Sequence, residues 1–72
     1  MPITQTDLDN RFTYHAPKPG QADTYTTLRD AAKVLAEHIV RVTPESREQS
    51  LAITSLEDAI FWANAGIARH GE

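Results

Sequence analysis

Residues 41–48, Arg41-Val42-Thr43-Pro44-Glu45-Ser46-Arg47-Glu48, decide the fold. Thr43 is a good N-cap residue, and Pro44 fits the first helical position, where its missing N–H would have no partner anyway. Glu45 suits the electropositive first turn of a helix. The spacing therefore predicts that one helix ends at about residue 42 and the next begins at about residue 44. A connection this short makes the two helices antiparallel neighbours.

Working upstream, Tyr25, Leu28, Ala32, Leu35, Ile39 and Val42 recur at alternating spacings of three and four. They form one apolar stripe on a helix over about 22–42. Asp23 in its first turn and Arg41 in its last both complement the helix dipole. Downstream, a second helix is expected to run over about 44–70 and to close with Gly71 at the C′ position. It carries two stripes. Gln49, Ala52, Ile53, Leu56, Ile60, Ala63 and Ile67 form one; Leu51, Ser55, Ala59, Trp62 and Gly66, flanked by Phe61, form the other. The first helix can cover only one, which leaves the other for a second chain. Ala59, Ala63, Ala65 and Gly66 are small enough for close backbone approach. Gly66 costs about 1 kcal/mol relative to alanine in a helix interior, which a close contact would offset.

Residues 1–21 are polar and hold three of the four prolines. Pro17, Pro19 and Gly20 oppose a helix, and an extended arm is expected. The whole reads as one all-α domain, an arm over 1–21 and an antiparallel two-helix hairpin over 22–72. At 72 residues such a chain buries only about 60% of its unfolded surface and needs a staple. It has no cysteine, and His15, His38 and His70 lie too far apart for a zinc motif, so neither a disulfide nor a metal or other cofactor is expected. Association with copies of itself remains. The N-terminus MPITQTDLDN lacks a signal-peptide pattern and no stretch approaches a membrane span, so a soluble cytosolic protein with no membrane partner is expected. The net charge of −3 argues against a nucleic-acid polymer as partner, while a local cluster of cations could still hold a small anion.

Four segments taken in order resemble a known family: Phe12-Thr13-Tyr14-His15-Ala16-Pro17-Lys18; Tyr25 with Leu28-Arg29; Pro44-Glu45-Ser46-Arg47-Glu48-Gln49-Ser50-Leu51-Ala52; and Leu56 through Arg69, LEDAIFWANAGIAR. This is the helical-hairpin domain of phage immune-evasion sponges, the anti-CBASS sponges and the Thoeris anti-defence sponges. The resemblance implies a non-enzymatic phage protein acting in the cytoplasm of the infected bacterial host. It implies a compact homohexamer that sequesters cyclic dinucleotides between protomers and cyclic trinucleotides where three protomers meet. Thoeris-related members also capture cyclic ADP-ribose isomers. Without a second domain, the chain looks more like the short anti-CBASS form.

A cyclic dinucleotide presents two bases to stack on and two phosphates to hold. For that site Tyr14 is the leading stacking candidate, with Phe12 as either a second stacker or the pin of the arm. Arg29 and Lys33 lie one turn apart off the apolar stripe and can face one space. Lys18, Arg11 and His15 are candidates to close it from the arm, although each could equally be a solvated charge. For a second, trinucleotide-type site the candidates are Ser46, Arg47, Asn64 and Arg69. Arg47 and Arg69 sit at opposite ends of one helix, so they could meet only across neighbouring chains. Asn64, an amide among small apolar residues, needs a partner across an interface or on a ligand. Trp62 is expected in packing. Nothing in the sequence supplies a catalytic constellation: Glu57 and Asp58 are adjacent and splay apart on a helix. The competing reading is a hairpin that docks on a host or phage protein.

Overall fold

The computed structural model describes residues 2–71. Three helices follow in order: α1 (Gln5–Phe12), α2 (Gln21–Val42) and α3 (Arg47–His70). Helices α2 and α3 pack against each other as the expected hairpin. The seam is Tyr25, Leu28, Ala32, Ala36 and Ile39 on α2, facing Gln49, Ile53, Leu56, Ile60 and Ile67 on α3, each of them half-buried. Leu35, expected on the seam, turns outward, and Ala36 takes its place.

The chain measures 45 × 32 × 15 Å. Its least dimension is little more than one helix diameter, about 10–12 Å with side chains. A slab one helix thick has no interior, and among the described residues no hydrophobic side chain is fully buried. On α3, Leu51 and Trp62 stand exposed on the side away from the seam, and Phe61 is exposed on its flank. Two stripes on α3 were expected, and only one is covered within the chain.

The arm departs from the extended expectation, because residues 5–12 are helical. Thr4 caps this helix: its hydroxyl accepts from the Asp7 N–H at 3.1 Å, and the Asp7 carboxylate accepts from the Thr4 N–H at 3.0 Å. This reciprocal box satisfies two end groups that would otherwise be orphaned. The prolines act only downstream, where residues 13–20 are non-helical.

The connection between α2 and α3 also differs. Thr43 closes α2 instead of capping α3: its hydroxyl donates to the Ile39 carbonyl at 2.7 Å and accepts from the Gln49 side chain at 3.1 Å, not from a backbone N–H of α3. Ser46 caps instead, accepting from the Gln49 N–H at 3.1 Å, and the helix starts at Arg47 rather than 44. The Gln49 side chain reaches back to the Val40 and Thr43 carbonyls at 3.2 and 3.0 Å, tying the turn shut. At the far end Gly71 is itself the C-cap, with φ −70° rather than a left-handed conformation. Gly20, at φ 84°, is the one described residue in that region, and it turns the arm into α2.

Candidate ligand-binding surfaces

Two concave surfaces gather the cations and rings. The first is a groove of about 420 Å³ along the α2–α3 seam. Arg29 and Lys33 flank it from α2; Glu57, Phe61 and Asn64 face them from α3. Its floor is Ala32, Ala36, Leu56 and Ile60, and the two alanines leave the space that larger seam residues would fill. Arg29 is held only weakly, its Nη2 donating to the Thr26 hydroxyl at 3.5 Å. The Asn64 Oδ1 is buried without a hydrogen-bond partner. An unsatisfied acceptor of this kind costs about 1–3 kcal/mol, so a donor arriving there is worth more than an average hydrogen bond.

The second surface is a cleft of about 390 Å³ between α1 and the C-terminal end of α3. Arg11 and Phe12 stand on one side, Trp62, Arg69 and His70 on the other, with Asp7 and Asn10 at the edge. Phe12 is 83% exposed and Trp62 72%, so both rings remain free to stack. The hydrogen bonds from the Thr4 N–H and hydroxyl hold the Asp7 carboxyl below its ordinary range, with a smaller contribution from Arg11 one turn on.

The remaining candidates fall elsewhere. Tyr14 is 85% exposed and lines neither surface. The His15 Nε2 contacts the Asn10 carbonyl at 2.7 Å, and the Lys18 ammonium donates to the Gly71 carbonyl at 2.7 Å. The Ser46 hydroxyl is used twice, in the cap and as a donor to the Pro44 carbonyl at 3.0 Å. Arg47 and Arg69 are separated by roughly 33 Å at 1.5 Å per helical residue. The two expected sets are thus mixed. Arg29 and Lys33 join Asn64 from the second set, while Arg11 and Phe12 join Arg69. The sequence reading gave no site role to Phe61, Trp62, Glu57 or His70. Their placement follows from the turn of α3 relative to α2 and from α1, which a one-dimensional stripe does not encode.

The family model of the Acb2/Tad1 hairpin domain matches residues 4–68. The chain belongs to the Acb2/Tad1 hairpin family. The match opens on Thr4, the cap of α1, and ends in the last turn of α3, so α1 lies inside the Acb2/Tad1 domain together with the hairpin. No curated protein and no solved structure matches the chain. Membership in this anti-CBASS and anti-Thoeris family implies a nucleotide-sponge anti-defence protein, and Acb2/Tad1 sponges are generally non-catalytic. Among the described residues no group of His, Cys, Asp or Glu is placed to hold a metal ion, and no helix is long and apolar enough to cross a membrane.

Proposed function

We propose that this chain assembles with copies of itself, as a homohexamer, and captures cyclic oligonucleotide second messengers whole, withholding them from host CBASS-type signalling. The supporting observation is that cations and open rings lie together beside an apolar face of α3 that the chain leaves uncovered. A second copy covering Leu51, Phe61 and Trp62 would roof the groove and the cleft. Capture of this kind needs no reacting group, only burial of bases and neutralisation of phosphate.

In the groove, Arg29 and Lys33 meet the phosphates of a cyclic dinucleotide. Phe61 stacks on a base, and the Asn64 amide turns its buried Oδ1 into the groove to accept from an exocyclic amine. Arg11, Phe12 and Tyr14 act on the same dinucleotide from the arm of a neighbouring copy, while Lys18 and His15 hold that arm in place through Gly71 and Asn10. Cyclic trinucleotides take the symmetric site, where Arg47, Ser46, Asn64 and Arg69 are contributed by different copies, so that each donor repeats around the ring of phosphates. Cyclic ADP-ribose isomers, with a base and two phosphates in one ring, are the alternative cargo.

Calorimetry with cyclic GMP–AMP and with cyclic tri-AMP tests the reading. Saturable heat is expected, with the nucleotide recovered intact after denaturing the complex. No heat at concentrations where the oligomer is intact would overturn the reading, and recovery of linear nucleotide would point to hydrolysis instead.

A further inference from the structure

Among the described residues one side chain is buried, and it is polar: Gln21, 5% exposed, the first residue of α2. A glutamine at an exposed helix start usually stays in water, because burying its amide costs free energy unless both ends are bonded. Here both ends are. The Oε1 accepts from the Lys18 N–H at 2.8 Å, and the Nε2 donates to the Ile67 carbonyl at 3.3 Å. The Gln21 N–H closes the same turn by donating to the Lys18 carbonyl at 3.0 Å. Gly71 makes the approach possible, since a Cβ on it would stand 2.8 Å from the Gln21 Nε2.

The amide therefore clamps the end of the arm to the last turns of α3. Helices α2 and α3 pack along each other, whereas α1 packs against neither to a comparable extent. Its packing cannot fix where Arg11 and Phe12 stand relative to Trp62 and Arg69, and the anchoring point of the arm must do so.

We propose that Gln21 is the positioning residue of the arm-side cleft, holding Arg11 and Phe12 opposite Trp62 and Arg69 at the separation that takes a base and a phosphate. This rests on the ligand-capture reading above. Gln21 touches no ligand; it lowers the ordering cost that the arm would otherwise incur on binding.

The test uses two variants and cyclic GMP–AMP as probe. Gln21→Ala should weaken binding about tenfold, the equivalent of one hydrogen bond, with helix content and oligomer size unchanged. Gln21→Glu keeps the acceptor for Lys18 but, when ionised, cannot donate to Ile67. Burial and the facing Ile67 carbonyl favour the neutral acid, whose proton restores the donor, while the Lys18 N–H and the neighbouring Lys18 ammonium favour the ionised form. Affinity of Gln21→Glu should therefore recover as the pH is lowered and the carboxyl takes up its proton, while that of Gln21→Ala does not. Every other charged group of the arm and of the end of α3 is the same in both variants, so Gln21→Ala is the control for them. Should Gln21→Ala not fold, Gln21→Met keeps the volume, makes neither hydrogen bond and should show the same loss. Unchanged affinity in Gln21→Ala, or a Gln21→Glu profile parallel to it, would overturn the role of Gln21 alone. If the unaltered protein takes up neither cyclic GMP–AMP nor cyclic tri-AMP, the ligand-capture reading fails and this role fails with it.

Discussion

The Lys18 ammonium donates to the Gly71 carbonyl at 2.7 Å, joining positions 53 apart in sequence. The carbonyl is one of those a helix leaves unpaired at its C-terminal end, where partial negative charge accumulates, so a cation is well matched to it. The contact lies beside the Gln21 clamp and ties the base of the arm that carries α1 to the end of α3. The arm is held through its base, and the free end is left to present side chains.

Lys18→Gln keeps a donor and removes the charge, whereas Lys18→Ala removes both. The bond is solvent-exposed, so the alanine variant should lose under about 1 kcal/mol in denaturant unfolding. The glutamine variant should lose less, and the difference should shrink in high salt. A larger loss in cyclic-nucleotide affinity than in stability, for both variants alike, would place the ammonium on the ligand rather than on Gly71.

The depressed Asp7 pKa gives α1 a pH dependence of definite sign. The carboxylate is bonded to Thr4 in the folded arm, so its folded pKa lies below the ordinary 3.8. Its contribution is complete above that ordinary value and is lost as pH falls through the lowered folded one. Amide exchange and helical signal of residues 5–12 should therefore show fraying on acidification, and Asp7→Asn should abolish that acid limb. An arm whose helicity is flat down to the lowest pH would mean that the Thr4–Asp7 box does not hold α1.

The hairpin was legible because its signals are local and periodic: a stripe at three–four spacing and a proline where a helix cannot continue. The register of the turn was not, because Thr43 can close one helix or open the next, and only the tertiary contacts of Gln49 decide for closure. Helix α1 was missed although Thr4-x-x-Asp7 is a capping signature, because eight residues are too few for periodicity to show. The groups of site residues depend on which α3 side chains the arm and α2 face. That depends on Gln21, a residue with no signal in sequence beyond an unremarkable polar helix start.

Gly66 separates the lone chain from the assembly. Nothing lies within 4 Å of a Cβ added there, so within one chain Gly66→Ala should stabilise α3 by about 1 kcal/mol through helix propensity. It lies on the uncovered stripe with Trp62, however, and in the proposed homohexamer a neighbour's backbone comes close. Sedimentation should show Gly66→Leu dissociating while its helical signal persists. Trp62→Ala should do likewise, since truncating an exposed ring costs little in one chain and about 3–5 kcal/mol once it is buried. An oligomer undisturbed by both variants would leave α3 free to serve some other contact.

Asn64 offers a test in which stability and binding move in opposite directions. Its Oδ1 is buried and unpaired, so the ligand-free protein bears the desolvation cost of that oxygen without the return of a hydrogen bond. Asn64→Leu, close in volume, removes the orphaned acceptor and should leave thermal stability unchanged or raise it. If the oxygen accepts from an exocyclic amine in the groove, the same substitution should weaken cyclic GMP–AMP by about tenfold or more, because the base then loses its partner on burial. Loss of stability together with intact binding would reverse the assignment: the amide would be bonding across the interface between copies, and the groove beside Arg29 and Lys33 would read its ligand without it.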